Sequence, residues 1–308
     1  MTHRKAVLLM ILVTLLWSTA GVVTRHLDSA RSFEVTFWRS AFNALALVVA
    51  LTAMRGAALW RGIAQAPWPV WASGVCWSVM YTAFMLAITL TSVANVLVTM
   101  SIGPLLTALL SRIVLRHRLP PRTWAAIGVA GVGIAWMFWR EAQASASGHL
   151  AGIAVALGVP VAAAINWTLL QRSHHGQASG RADPGGVADD NHDMMSAVLI
   201  GAVISAFAMW PLSLPFQASS HDLSLLALLG IFQLAVPCLL VVRLTHVLPG
   251  PEIALLGLLE VVLGVLWAWL GAGEQPSAAT LSGGALVIGA LVANQMLALR
   301  DSAGRAAI

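Results

Sequence analysis

Long apolar runs separated by short polar connections follow one another along the whole chain. A helix that crosses a bilayer needs about 20 mostly apolar residues, and the period-2 alternation of a membrane β-barrel is absent. The pattern therefore predicts an all-α polytopic membrane protein with ten transmembrane helices. The predicted spans run roughly over residues 6–23, 33–54, 69–90, 93–115, 122–139, 149–170, 194–215, 223–245, 251–271 and 280–299.

The amino-acid composition excludes the main alternative classes. Hydrophobic residues make up 59% of the chain and charged residues only 9%, against about 25% charged residues in a typical soluble domain. A soluble fold of this length cannot cover its surface with so few charges, and a chain this apolar does not stay disordered in water. Cys76 and Cys238 lie in apolar runs and provide neither a disulfide framework nor metal-ligand spacing, so no metal and no cofactor is predicted.

Lysine and arginine residues indicate the orientation of the spans. If the ten spans alternate in direction, 13 of the 17 basic residues lie on the same side of the membrane as the N-terminus. The other four are Arg25, Arg31 and Arg140 on the opposite side and Arg39 inside span two. The positive-inside rule then predicts a multi-pass protein of the inner (plasma) membrane with both termini cytoplasmic. A cleaved signal peptide is the alternative for the first span, and a retained helix is the simpler interpretation because the rest of the chain is equally apolar.

A polar, Gly-rich stretch at residues 171–193 interrupts the second half and is predicted to be a flexible cytoplasmic linker. Residues 1–143 form the first five-helix repeat, residues 144–170 with 194–300 form the second, and 301–308 form a short tail. Because each half has an odd number of spans, the second half starts from the opposite side of the membrane and is inverted relative to the first. The prediction is therefore two inverted five-helix repeats, an arrangement common in secondary transporters.

Four short stretches carry a family resemblance. They are residues 15–18 (LLWS), residues 37–39 (FWR), residues 94–119 with Pro104 in mid-span, and Leu259-Glu260 followed by Gly273-Glu274. With the ten-span layout, they resemble the drug/metabolite transporter superfamily, in its EamA-like form with two repeats. The resemblance covers essentially the whole chain. It implies a transporter of small metabolites, such as amino acids and their derivatives, or of drugs.

The chain departs from the pattern of that family at three points. Val261 stands where the family usually has proline, and Arg116-His117 stands where a Gly-Glu pair is expected in the first repeat. The polar stretch between the spans at 149–170 and 194–215 is longer than usual.

Two ionisable residues lie well inside predicted spans, where a charge costs about 2.5–3.5 kcal/mol and is a functional candidate by default. Glu260 in span nine can bind and release protons during exchange, or it can be a structural carboxyl group. Arg39 in span two can pair with Glu260 or attract a substrate carboxylate, or it can snorkel to the membrane interface. No aspartate lies inside a predicted span.

Neutral polar and aromatic side chains offer a possible lining for a substrate cavity. Helix packing and interhelical hydrogen bonds are the alternative explanation for each of them. Two prolines inside spans are candidate gating hinges, because proline frees a backbone carbonyl and can kink a helix. The lining candidates are Asn43, Trp17, Trp77, Tyr81, Thr99, Asn166 and Gln233, and the hinge candidates are Pro104 and Pro237.

Small and aromatic residues complete the prediction. The glycines of Gly128-x-x-Gly131-x-Gly133 indicate close helix contact rather than nucleotide binding. Tryptophans that flank the spans are typical of interfacial belts. These are Trp38, Trp60, Trp68, Trp71, Trp124, Trp139 and Trp210.

The favoured function is a secondary transporter that moves a small molecule by alternating access, as efflux or exchange, with protons as a candidate coupling ion. The expected partners are the substrate and the lipid bilayer, and no nucleic acid. An intramembrane enzyme and a non-transporting scaffold are the alternatives. The chain has no P-loop and no catalytic motif at membrane depth, so enzymatic activity is not predicted.

Overall fold

The computed structural model describes residues 3–115, 120–143, 147–178, 190–244, 247–248 and 250–306. Every regular element in these ranges is helical, which confirms the all-α class. The helices of the first half are α1 (His3–Ser18), α2 (Ala20–Thr24), α3 (Ser32–Arg55), α4 (Ala58–Ala64), α5 (Trp68–Leu90), α6 (Val93–Met100), α7 (Gly103–Leu115) and α8 (Pro121–Gln143). Those of the second half are α9 (Ser147–Ala156), α10 (Gly158–Ala178), α11 (Asp190–Ser213), α12 (Ser220–Leu228), a π-helical segment (Leu229–Ala235), α13 (Val236–Leu244), α14 (Gly250–Ala272) and α15 (Ala278–Ala306).

Six helical stretches are long and apolar enough to cross a membrane, and three shorter apolar helices accompany them. Large apolar side chains such as Leu45, Val49, Phe207 and Phe232 are exposed on these helices, as expected for surfaces that face lipid. The protein is therefore a multi-pass membrane protein, and the number of ten crossings stays a prediction. The six stretches are His3–Thr24, Ser32–Arg55, Trp68–Leu90, Val93–Leu110, Met195–Ser213 and Ser220–Val241.

Helical structure extends into both ends of the predicted flexible linker. Helix α10 continues to Ala178 and α11 begins at Asp190, so residues 171–178 and 190–193 of the predicted linker are helical. Likewise α15 runs on to Ala306, into the predicted tail. A nucleated helix propagates at little cost through polar residues, which explains why the helices outlast their apolar segments. Residues 179–189 lie outside the described residues.

Prolines mark the interruptions of three predicted spans. Pro104 lies in the first turn of α7, directly after the break that separates α7 from α6. Pro160 follows the break between α9 and α10 in the same way. Pro237 follows the π-helical segment and lacks the N–H group that would bond the carbonyl of Gln233 in an α-helix. The two predicted hinge prolines therefore stand at real changes of helix geometry.

The two halves are interleaved. Helices α3 and α5 of the first half pack against α11 of the second, α8 packs against α15, and α1 packs against α14. Hydrogen bonds show that α8 and α15 run antiparallel, because Thr123 bonds Asn294 at one end and the indole of Trp136 bonds Ser282 at the other. The hydrophobic core lies between the halves rather than within either of them.

One glycine of the Gly128-x-x-Gly131-x-Gly133 motif makes the expected close contact. A Cβ on Gly133 would lie 2.8 Å from the carbonyl oxygen of Gly283, and a Cβ on Gly283 would lie 2.7 Å from the carbonyl oxygen of Gly133. A Cβ on Gly128 or on Gly131 would meet no atom within 4 Å. The prediction of close helix contact is therefore confirmed at Gly133 and wrong at Gly128 and Gly131.

Most of the predicted belt tryptophans are exposed, whereas Trp38 is not. The Trp38 ring packs against Phe42 and Phe216, with ring centroids 5.8 and 5.1 Å away. Aromatic side chains of α3 and of the chain after α11 thus cover part of the Trp38 ring, which is half-buried. The belt residues that the structure exposes are Trp60, Trp68, Trp71, Trp124, Trp139 and Trp210.

The contrast between neighbouring glycines gives a stability test. Gly133→Ala places a methyl group against the backbone of α15, and the overpacking should lower the free energy of unfolding by about 1–3 kcal/mol. Gly131→Ala on the same helix should leave stability unchanged or slightly raised, since alanine favours helix. Thermal unfolding of the detergent-purified variants measures both. Equal melting temperatures for the two variants would contradict the α8–α15 contact.

Candidate substrate site between the two halves

A buried arginine joins the two halves at the centre of the bundle. Arg39 on α3 is only 1% exposed. Its Nε and Nη2 atoms donate to the Oε1 atom of Gln233, at 3.3 and 2.8 Å. The Nε2 atom of Gln233 in turn donates to the backbone carbonyl of Trp17, at 3.2 Å. The guanidinium group also lies over the Phe84 ring, 5.5 Å from its centroid, so the charge is held by an amide dipole and an aromatic face.

The local sequence explains how α3 and the π-helical segment approach so closely. A Cβ on Gly230 would lie 2.7 Å from the Arg39 carbonyl oxygen and 2.9 Å from the Asn43 nitrogen. Only glycine fits there without moving α3. The π turn that follows carries Gln233, and short π-helical insertions are frequent at functional sites.

Hydroxyl groups cross-link three helices beside this centre. Ser205 of α11 lies 2.8 Å from the Ser40 hydroxyl of α3 and 2.9 Å from the Thr82 hydroxyl of α5. Small hydroxyl residues suit such contacts because they satisfy each other while the helices stay close. They fix α3 and α5 relative to the second half.

Four of the predicted lining residues gather beside Arg39; they are Asn43, Tyr81, Trp77 and Trp17. Asn43 is fully buried, and neither amide atom has a partner in hydrogen-bonding geometry within the described chain. Its side chain neighbours the Tyr81 hydroxyl, which lies 3.9 Å from the Cys238 sulfur. The Trp77 and Tyr81 rings are 5.6 Å apart, and Trp17 packs on the same cluster.

Glu260 on α14 faces the same centre. It retains partial exposure and lies close enough to Arg39 for the two groups to interact electrostatically. Within the part of the chain that the structure describes, no ion pair joins Arg39 and Glu260. The two groups are therefore neighbours without direct contact, and an ionised Glu260 is attracted to Arg39. Helix α14 runs unbroken through Val261, in keeping with the absence of the proline that the family usually has there.

Two predicted lining residues make structural hydrogen bonds elsewhere in the bundle. The Thr99 hydroxyl donates to the Asn95 carbonyl of its own helix, at 2.7 Å. Asn166 accepts a 2.6 Å hydrogen bond from the Ser73 hydroxyl and so joins α10 to α5. The structure does not bring either of them to the group around Arg39.

A clamp that the lining prediction did not include closes one end of the bundle. Glu274 accepts a bond from Arg25 Nε at 2.9 Å and one from the Val93 backbone N–H at 2.6 Å. Arg25 also donates to the Thr91 carbonyl, at 2.7 Å. Gly273, with φ at +67°, makes the turn that presents Glu274. The Gly-Glu element thus ties the second half to two connections of the first, beside an open pocket of about 580 Å³ that Arg25 lines.

Two further buried carboxylates strengthen the same end, called here the carboxylate end. Glu34, which is fully buried, accepts bonds from the backbone of Gln217 and Ala218. Asp222 caps α12 with Ser219 and accepts bonds from the backbone of residues 28–30. Asp222 lies in the first turn of α12, one residue before the predicted span. The Ser-x-x-Asp pattern is a capping-box signal that could have identified it.

The arrangement matches a known family. The model of the EamA-like transporter family matches residues 4–139 and 186–294. The chain belongs to the EamA-like transporter family. Its two matched segments correspond to α1–α8 and to α11–α15, and the predicted membership of the drug/metabolite transporter superfamily is confirmed.

Similarity to solved structures supports the fold of this EamA-like chain. A crystal structure of a protein superposes with a TM-score of 0.61 at 21% sequence identity, covering 96% of this chain and 99% of that one. No curated protein matches the sequence.

Removing the acceptor of Arg39 tests the central hydrogen bonds. Gln233→Leu leaves a buried guanidinium group without its amide, and the free energy of unfolding should fall by about 1.5–3 kcal/mol. Gln233→Glu keeps an acceptor for Arg39, so its free energy of unfolding should fall by less. Thermal unfolding of both variants in one detergent makes the comparison. A Gln233→Leu variant as stable as the natural protein would show that the pair does not hold the halves together.

Proposed function

We propose that this EamA-like protein is a secondary transporter that moves a small metabolite across the inner (plasma) membrane by alternating access, as efflux or exchange. The observation that carries the proposal is the Arg39–Gln233 contact, which places a buried charge between two halves that pack against each other. A charge in an apolar interior persists only where function or pairing retains it. Amino acids or their derivatives are the proposed substrates, and drugs are the alternative.

The helix contacts support an inverted repeat of ten crossings. Ser73, early in α5, bonds Asn166 in the middle of α10, whereas Gly158 at the start of α10 lies against Ala83 late in α5, so these helices are antiparallel. The pairs between α8 and α15 have the same sense. If each connection reverses the direction of the chain, the first five crossings and the second five start from opposite sides. Alternating access then corresponds to a rocking of one half against the other around the Arg39 centre.

The clamp and the helix breaks supply the moving parts of this mechanism. In the described state the Arg25–Glu274 pair ties the halves at the carboxylate end. Opening that end requires these bonds to part while the Arg39 centre remains. The irregular backbone at Pro104 and Pro237 is where α7 and α13 can change direction at low cost.

The proposed orientation places the carboxylate end outside and both termini in the cytoplasm. The opposite end, called here the arginine end, carries Arg55 and Arg61, and Arg243 lies there beside Met54. An excess of basic residues marks the cytoplasmic side of a membrane protein.

Cysteine labelling tests the orientation. In a variant without Cys76 and Cys238, Gln275→Cys at the carboxylate end should react with a membrane-impermeant maleimide in intact spheroplasts. Gly62→Cys at the arginine end should react only after the membrane is opened. Both positions are exposed, so accessibility from each side is the only difference between them. The reverse pattern would overturn the orientation.

The coupling role of Glu260 has a direct test in proteoliposomes. Glu260→Gln removes the group that exchanges a proton, so transport driven by a proton gradient should be lost while substrate counterflow is retained. Asp28→Asn, at an exposed site of the carboxylate end, is the matched control and should change neither. An unchanged proton-driven rate in Glu260→Gln would exclude coupling through Glu260. Natural protein that moves no solute, yet processes a lipid or peptide, would favour the enzyme alternative.

A further inference from the structure

Several buried polar atoms around Arg39 have no hydrogen-bond partner within the described chain. They are Arg39 Nη1, both amide atoms of Asn43 and the indole Nε1 of Trp77. An unpaired polar group in an apolar interior costs free energy, and native structures pair the large majority of such groups. A group of unpaired buried polar atoms at one place indicates that these residues are retained for function rather than for stability.

The three buried asparagines of the described residues differ in how completely their amide groups are paired. Asn95 is 1% exposed; its Nδ2 atom donates to the Thr91 hydroxyl and its Oδ1 atom accepts from the Thr280 hydroxyl, at 3.2 and 2.6 Å. Asn166 has its Oδ1 atom paired with Ser73, whereas its Nδ2 atom has no partner within the described residues. Asn43 is buried as deeply, and it is the one of the three described asparagines with neither amide atom in hydrogen-bonding geometry; its neighbour is the Tyr81 hydroxyl.

The chemistry of the unpaired atoms defines what they can bind. Arg39 and Asn43 are one turn apart on the same face of α3, and each offers an N–H group. Two neighbouring N–H donors, one of them charged, match the two oxygens of a carboxylate. The rings of Trp77 and Tyr81 provide an apolar wall beside them. When Glu260 is ionised, its charge opposes a second negative charge on the ligand.

We propose that Asn43 and the free Nη1 edge of Arg39 bind the carboxylate of the substrate, and that the substrate is an organic monocarboxylate with an apolar or aromatic body. Asn43 then determines specificity for the carboxylate, and Arg39 supplies the charge. The inference rests on the proposed transport function and names the substrate class of that same site.

A pair of isosteric substitutions separates this role from packing. Asn43→Leu removes an amide that has no partner in the described chain, so the melting temperature of the ligand-free protein should stay level or rise. Asn95→Leu breaks two hydrogen bonds and should lower it. If Asn43→Leu lowers the melting temperature as much as Asn95→Leu does, Asn43 is a structural amide, held by a buried water for example, and the proposal fails.

A ligand series then tests the chemistry on the purified full-length protein. Phenylpropionate carries the carboxylate and the aromatic body, whereas phenethylamine carries the body with an amine instead. Phenylpropionate should raise the melting temperature of the natural protein in a concentration-dependent way, and phenethylamine should not. In Asn43→Leu the apparent affinity for phenylpropionate should fall about 10- to 100-fold, the effect of losing one hydrogen bond to a charged group.

Three results would overturn the proposal. They are a response to phenethylamine equal to that for phenylpropionate, no response to either compound, and an unchanged affinity in Asn43→Leu. Counterflow of labelled phenylpropionate in proteoliposomes distinguishes this failure from failure of the proposed function. If Asn43→Leu transports it like the natural protein, only the carboxylate site is wrong. If the natural protein exchanges no solute of any class, the transport function itself is wrong.

Discussion

The centre of this protein depends on one requirement, that the guanidinium group of Arg39 must keep an acceptor inside an apolar bundle. Removing a buried charge from its partner costs far more than the pair contributes by itself. The acceptor is Gln233, which reaches Arg39 because a π turn precedes Pro237 and because Gly230 lets two backbones meet. The π turn and Gly230 of the second half thus allow Gln233 to reach the Arg39 charge of the first half.

The carboxylate end is built from a different kind of contact. Glu34, Asp222 and Glu274 each accept bonds from backbone N–H groups of a connection that is distant in sequence. Such contacts join a side chain to a main chain, and few side chains must repack when one of them breaks. The centre is thus held by a contact between two side chains, and the carboxylate end by carboxylates that accept main-chain bonds.

Hydropathy could predict the helices, because hydrocarbon admits only backbone whose groups are paired internally. It also identified Arg39, Gln233 and Asn43, since polar residues inside apolar runs are conspicuous. The contact between Arg39 and Gln233, which are 194 residues apart, could not be predicted, because hydropathy does not indicate which helices pack against each other. The same limit explains why the predicted close helix contact is absent at Gly131, where a Cβ would meet no atom within 4 Å. Asp222 was missed although its capping pattern is local.

The distance along the chain between Arg39 and Gln233 has a consequence for biosynthesis. At roughly 5–20 residues per second, the 194 residues between them take about 10–40 s to synthesise. During that interval the first half is already emerging from the ribosome while the acceptor of its buried arginine does not yet exist. The nascent first half must therefore keep Arg39 hydrated, lend it a temporary partner or delay the final seating of α3. The final packing of α3 therefore waits until the C-terminal half has been synthesised.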